Sequence, residues 1–203
     1  DLTEQHRSGV VDLALDDGSL LVARHVIAAD GMWSRVRKAV GRTTAGYRGD
    51  WHAMRQYRTA DGPRSREQWV WFDRDLLPGY AWSFPLPDGR VNVGFGIVRR
   101  GSLSGKALRQ TWDGLFDRPH IRDALGATEP EGPHKAWPIP ARLPSMSLFH
   151  GRILFAGDAA AVTDPLTGEG IGQALETGRL AAMAVSQGGP AGAIGVRYDE
   201  VVR

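Results

Sequence analysis

The stretch GDAAAVTDPLTGEGIGQAL, from Gly157 to Leu175, constrains this chain more than any other. It separates a short apolar run, ILFA at 153–156, from a long helical pattern that reaches Ser186. A plain strand-to-helix connector takes about 2–6 residues. This one holds four glycines, two aspartates and a proline, so its backbone is shaped for something to lie against it. The apolar run reads as a buried strand, which puts Asp158 just past its C-terminal end. Ligands of open α/β sheets bind at that edge, and a carboxylate there accepts hydrogen bonds from a ligand hydroxyl.

Gly168, Gly170 and Gly172 mark the start of the helix, read from about Glu169. Its apolar positions Ile171, Ala174, Leu175, Ala181, Ala182 and Val185 recur at helical spacing. Glycine lets a flat ligand approach the backbone. The unpaired N–H groups of a helix start favour a ligand that carries or gains negative charge. The plain alternative is a helix packed closely on a sheet through the small residues at 174, 178, 181, 182 and 184. GEGIGQ is not the dinucleotide fingerprint G-x-G-x-x-G, because Gln173 stands where the third glycine belongs.

Composition bounds the rest. With 203 residues, 42% hydrophobic and 24% charged, the chain is long and apolar enough for a real core. The net charge is only +2, and the basic residues are scattered rather than gathered into a stripe, so no nucleic-acid partner is expected. The absence of cysteine excludes disulfides, thiolate metal sites and cysteine nucleophiles, and fits a cytoplasmic setting. His6, His25, His52, His120, His134 and His150 show no metal-ligand spacing, so no metal is expected. No apolar run is long enough for a membrane span. The chain opens without Met in strand-like text and stops in a helical pattern, so both ends read as cuts through a larger protein.

Along the chain, 10–15 and 19–23 read as strands around the hairpin signal Asp-Asp-Gly, followed by the apolar run HVIAAD, expected to be buried on both faces. A turn and a short helix closed by Gly41 come next. WHAMRQYRT, REQWVWFD, GYAWSFPL and RVNVGFGIV are four strands of an antiparallel sheet. A helix over 104–116, N-capped by Ser104, and a shorter one over 120–125 follow. The proline-rich text from Gly126 to Ser145 reads as loop with one short strand at 136–139. The organisation is therefore two α/β pieces, 1–45 and 141–203, around an inserted antiparallel sheet domain, 46–140.

Three segments carry a family resemblance. RILFAGDAAAVTDPLTGEGIGQALETGRLAA resembles the second flavin-binding motif of the p-hydroxybenzoate hydroxylase-like FAD-dependent oxidoreductases, and its part from Asp164 onward most resembles the geranylgeranyl reductase family. DGMWSRVR at 30–37 resembles that group's D-G-x-x-S-x-V-R motif. LLPGYAWSFPLPDGRVNVGFG at 76–96 resembles the P-G-Y-x-W-x-F-P segment of the reductases. The resemblance implies a partial FAD-binding Rossmann-like domain, of mixed α/β and α+β class, with an inserted substrate domain. It implies FAD as cofactor, with NAD(P)H as a candidate electron donor, and reduction of C=C bonds in an isoprenoid-like apolar substrate.

The implied cofactor residues are Asp30, Gly31 and Arg37 in the first motif, and Gly157, Asp158, Pro165, Gly168, Glu169, Gly170 and Ile171 in the second. Arg37 would hold its loop through acidic or carbonyl partners. Asp158 would bind the ribitol or phosphate linker, and 165–171 would present backbone to the flavin ring. A reduced flavin gains negative charge at N1–C2=O, which suits a helix N-terminus. Tyr80, Trp82 and Gly94 are the implied substrate residues, the glycine face beside the aromatics leaving room for a flat ring or an apolar chain. No residue is singled out as catalytic acid or base. A lipid substrate also implies peripheral contact with a membrane.

Two rival readings stand beside this one. Aromatic hydroxylases of the same group, and halogenase-like relatives, would share the cofactor but not the reaction. The hydroxylases usually carry a histidine after GDAA, where this chain has Ala161, which leans away from hydroxylation. The third reading is a cofactor-free, inactive fragment, because the glycine fingerprint for the ADP half of FAD is not in these residues.

Overall fold

A computed structural model describes residues 9–99 and 104–203. Strands β1 (Val11–Ala14) and β2 (Leu20–Ala23) form the antiparallel hairpin expected from Asp-Asp-Gly. Asp17 Oδ1 accepts from Ser19 N at 2.9 Å, and Gly18 takes φ +82°, which closes the turn. Strand β3 (Val26–Ala28) leads into helix α1 (Arg35–Ala39). The chain then builds a sheet from β4 (Trp51–Ala60), β5 (Trp69–Trp71), β6 (Tyr80–Pro85) and β7 (Arg90–Val98). Helices α2 (Gly105–Asp113) and α3 (Pro119–Leu125) and strand β8 (Thr128–Ile139) follow. Strands β9 (Phe149–His150) and β10 (Ile153–Phe155) precede helices α4 (Ile171–Ser186) and α5 (Ala191–Val202). This is the mixed α/β class that the sequence implied.

The chain divides into two compact units: Asp1–Gly49 with Ile139–Arg203, and Asp50–Pro138. In the first, a three-stranded sheet has the order β3-β10-β9. β10 runs parallel to β3, with Ile153 opposite Val26 and Phe155 opposite Ala28. Because the pair is parallel and in register, the residues that follow each strand emerge at one sheet edge. Asp30 and Asp158 leave the sheet there. β10 is buried throughout, whereas Ile27 of β3 is 40% exposed, since β3 is the edge strand of this sheet. Leu154, Phe155, Ala181, Ala184, Ile194 and Tyr198 join β10 to α4 and α5 in one core.

The face that α4 buries matches the expected one only in part, with Ala181 and Val185 in or against the core. Thr177, Ala181 and Ala184 point inward, while Ile171 and Leu175 are 74% and 72% exposed. The helix is set by the β10 turn it packs on, which takes a threonine where a periodicity argument looks for an apolar side chain.

The second unit is a five-stranded sheet of order β5-β6-β7-β4-β8. Ala81, Val91, Val93, Phe95 and Met54 pack on Leu108, Trp112 and Leu115 of the α2 segment and on Ile121 and Leu125 of α3. Ser104 caps α2, its hydroxyl accepting from Ala107 N at 3.1 Å. The proline-rich segment corrects the sequence reading: it forms a twelve-residue strand, not four residues within a loop. Pro130, Pro133 and Pro138 are tolerated because β8 is an edge strand, which needs donors on one side only. Side chains of β4 help hold it, with Gln56 Nε2 donating to Gly132 O at 2.6 Å and Arg58 Nη2 to Thr128 O at 2.8 Å. Among the described residues, no helix is long and apolar enough to cross a membrane.

Candidate functional site

β10 ends in a single turn of 3-10 helix, Gly157–Ala160, followed by Ala161 in the left-handed region at φ +55°. Gly157 is needed for two reasons. Its φ is +57°, and a Cβ there would sit 3.2 Å from the Ala174 methyl group of α4. Asp158 follows, half-buried, and burial pushes its carboxyl above the ordinary carboxylate range despite an opposing hydrogen bond from Thr163. That bond is long, 3.4 Å from Thr163 Oγ1 to Oδ1, so among the described residues most of the acceptor capacity of the carboxylate is unengaged. Gly170 closes on the same spot: a Cβ there would stand 3.1 Å from Thr163 Oγ1 and 3.7 Å from Asp158 Oδ1.

The first motif is built differently. Asp30 Oδ2 accepts from Val36 N at 3.1 Å, and Ser34 Oγ accepts from Arg37 N at 2.9 Å, so both side chains cap α1. Gly31 makes the turn before it, at φ +82°. Arg37 is buried, and its guanidinium donates to three backbone carbonyls. These are Ala159 O from Nε at 2.7 Å, Ser147 O from Nη2 at 2.9 Å and Arg42 O from Nη1 at 3.4 Å. The guanidinium also stands 3.8 Å over the Phe155 ring. Burial lowers its pKa to about 10, with Asp30 acting in the opposite direction. Of the two kinds of partner expected for Arg37, carbonyls take its hydrogen bonds. A cavity of about 290 Å³ opens here, with Trp33, Arg37, Lys38, Tyr47, Met146 and Asp158 in its wall.

The loop from Asp164 to Gly170 is organised by two carboxylates: Asp164, which the sequence did not single out, and Glu169, for which it favoured a structural or electrostatic role. Asp164 Oδ1 accepts from Leu166 N at 3.0 Å, Thr167 N at 2.7 Å and Thr167 Oγ1 at 2.8 Å. Those bonds hold its carboxyl below the usual range. Glu169 Oε1 accepts from Ile171 N at 2.7 Å and Gly172 N at 3.2 Å. Two of the helix-start donors expected to face a ligand are thus engaged by the chain's own side chain. The aspartate three residues before a threonine was the readable signal for the first of these turns. Pro165, Leu166 and Ile171 lie exposed around the loop.

In the second unit, Tyr80, Trp82 and Phe84 line one sheet face, with ring centroids 6.0 and 6.2 Å apart. Trp51 and Phe72 extend the row, 6.3 and 5.9 Å from Tyr80. The space read over Gly94 is not open. A Cβ there would lie 2.5 Å from the Trp82 indole and would also strike Met54 O, so the flat ring on this glycine is the protein's own. The histidines stay dispersed: His150 Nδ1 meets Arg42 Nε at 3.2 Å, and His120 Nε2 meets Asp73 Oδ1 at 3.1 Å. His6 lies outside the described residues.

Comparison with known proteins agrees with this geometry. The FAD binding domain family matches residues 3–184. A menaquinone reductase of Mycolicibacterium smegmatis is 33% identical over 214 residues, covering 93% of this chain and 47% of its own. Digeranylgeranylglycerophospholipid reductase 1 of Methanopyrus kandleri is 35% identical over 161 residues, 78% of this chain and 42% of its own. The crystal structure of a geranylgeranyl bacteriochlorophyll reductase-like protein from Thermoplasma acidophilum superposes with a TM-score of 0.77 at 20% identity. It covers 99% of this chain and 52% of that one, a likeness of fold. The chain spans about half the length of the curated relatives it matches.

Proposed function

The chain belongs to the FAD binding domain family, and from that premise we propose that it supplies the flavin-ring and substrate portions of an FAD-dependent reductase acting on the C=C bonds of an isoprenoid-like lipid. The observation that carries this reading is Asp158, half-buried at the end of β10 with a carboxylate that, among the described residues, Thr163 alone engages, and at long range. A buried acceptor held that way suits a polyhydroxylated linker such as ribitol. Asp30 and Gly31, at the same sheet edge, would lie toward the phosphates. The backbone of Pro165, Gly168, Glu169, Gly170 and Ile171 would flank the ring. Bound FAD would supply hydride chemistry, and the protein would bind, orient and tune it. The aromatic face of Tyr80, Trp82 and Phe84 offers an apolar surface for an isoprenoid chain, with Arg55 beside it across Gly94 in the register of β4 and β7. The names of the two relatives quoted above fit a reductase of lipid-like substrates. Such a substrate brings the whole protein to a membrane surface, and NAD(P)H is the electron donor to try first. Ala161, in place of the hydroxylases' histidine, favours the reductase over an oxygen-dependent relative.

The test is the visible spectrum of the full-length natural protein after incubation with FAD, followed by anaerobic incubation with a prenylated lipid and NAD(P)H or dithionite. Flavin bands in roughly one-to-one amount, as expected of a resident cofactor, with a saturated product, support the reading. A folded protein that takes up no FAD defeats it. Flavin binding with product formed only under oxygen transfers it to the hydroxylase or halogenase class.

A further inference from the structure

We infer that Thr177, together with Tyr198 and Arg37, is a positioning residue for Asp158. The three side chains come from α4, α5 and α1, and each holds one backbone group of the segment that carries the aspartate. Tyr198 Oη donates to Phe155 O at 2.7 Å. Gly157 N donates to Thr177 Oγ1 at 3.0 Å. Arg37 Nε donates to Ala159 O at 2.7 Å. Positions 155, 157 and 159 are therefore pinned in turn, on both sides of Asp158. None of the three bonds belongs to a helix or sheet ladder.

Each pin is buried and costly to build. Tyr198 is fully enclosed, and burial pushes its phenol up to about 12, with the nearby Thr177 hydroxyl opposing. Arg37 keeps a charge inside the protein for the sake of carbonyl oxygens, which is unfavourable unless geometry is gained. Thr177 is 4% exposed and works in both directions: its hydroxyl accepts from Gly157 N and donates to Gln173 O at 2.7 Å. It thereby ties the turn to the first full turn of α4. The turn needs such fixing because two of its residues, Gly157 and Ala161, take positive φ, and the second is not a glycine. Of the three, Thr177 is the sharpest probe, because it serves an N–H that has no other route to a partner among the described residues.

The consequence for the cofactor rests on the reading above; the pinning itself does not. The experiment uses the full-length natural protein, as wild type, Thr177→Val, Thr177→Ser and Tyr198→Phe. Hydrogen exchange of the amides at 157–161 is followed without added FAD, with the β7 amides as an internal control. Thr177→Val, isosteric but without the acceptor, should speed exchange at 157–161 by about tenfold, the weight of one unpaired buried amide, and leave β7 unchanged. Thr177→Ser should keep wild-type protection, and Tyr198→Phe should fall between. FAD affinity, read by flavin fluorescence, should fall about tenfold in Thr177→Val and less than about twofold in Thr177→Ser. Wild-type exchange in Thr177→Val overturns the proposal. So does equal damage in the valine and serine variants, which would make the effect one of packing. Loss of protection at 157–161 with FAD affinity unchanged removes the positioning role and leaves a structural one. If wild type binds no FAD, the functional reading fails while the exchange comparison still decides the pinning.

Discussion

β3 and β10 lie side by side, and each leads through an aspartate into a helix, yet the two crossings treat the aspartate in opposite ways. After β3, Asp30 and Ser34 turn back onto the backbone and cap α1, and the carboxylate is exposed. After β10, Asp158 caps no helix among the described residues. Its helix is capped by Glu169 instead, and its turn is held by side chains from elsewhere. A local aspartate–helix contact is cheap to build and needs no ligand. On the function proposed above, a half-buried carboxylate whose structural tasks have been given to its neighbours is the one that would meet the cofactor. The difference teaches that two motifs alike in their strand–Asp–helix order use the aspartate differently: Asp30 is engaged by its own helix, and Asp158 is not.

The strongest way to break this comparison is to remove both charges in turn. Asp158→Asn should weaken FAD binding by about 30-fold, the value of one charge-assisted hydrogen bond of about 2 kcal/mol, whereas Asp30→Asn should cost less than about fivefold, through the cap alone. Equal losses by fluorescence titration would erase the distinction. The same variant carries a pH signature. The folded-state pKa of Asp158 is raised by burial, so the ligand-free fold favours the protonated form. Its contribution to stability is therefore most favourable below the unfolded value, near 4, declines as pH rises through the folded value and stays unfavourable above it. Asp16, Asp75, Asp88, Asp164 and Glu176 are shifted the other way and give the opposite slope. The quantity to measure is accordingly the difference in thermal midpoint between wild type and Asp158→Asn from pH 4 upward. The asparagine variant should gain on wild type as pH rises. A constant difference would deny that the carboxylate is desolvated.

The complementary probe acts on the scaffold side. Ser34→Ala removes the side-chain acceptor for Arg37 N and should destabilise the fold by about 1 kcal/mol. FAD affinity should stay within about threefold, since the loss falls on α1 rather than on a ligand contact. Urea unfolding and fluorescence titration on one preparation separate the two. A large affinity loss at unchanged stability would make the first crossing a contact as well.

Much of the fold was legible because its causes are local. Asp-Asp-Gly closed β1–β2, Pro-Asp-Gly joined β6 to β7, and Ser104 before α2 is a cap that a residue three positions later satisfies. The β8 strand was not legible, since its prolines argue against a strand until its edge position is known. Nor was part of the buried face of α4. Ile171 and Leu175 look like core in a periodicity count, and Thr177 does not, yet the threonine is buried because a backbone amide twenty residues upstream needs an acceptor. The space over Gly94 failed for a similar reason. A glycine face announces close approach, but not whether the approaching ring belongs to a ligand or, as here, to Trp82 on the neighbouring strand.

The finest test concerns Glu169, the residue that frees Asp158 from capping. Its Oε1 engages the N–H groups of Ile171 and Gly172, two of the four donors a helix start leaves unpaired. Glu169→Ala should therefore cost stability, about 0.5 kcal/mol, as for an acidic residue at an exposed helix start. Its effect on the cofactor should have the opposite sign. A carboxylate at the helix start opposes any ligand that gains negative charge there, so its removal should favour the reduced flavin over the oxidised one. A preference of about threefold corresponds to a midpoint potential about 15 mV higher for a two-electron couple. Spectroelectrochemistry of the reconstituted full-length protein reads that shift directly. A lower potential would mean that Glu169 supports the reduced ring rather than guarding the helix start, and the contrast between the two crossings would then rest on Asp158 and its pins alone.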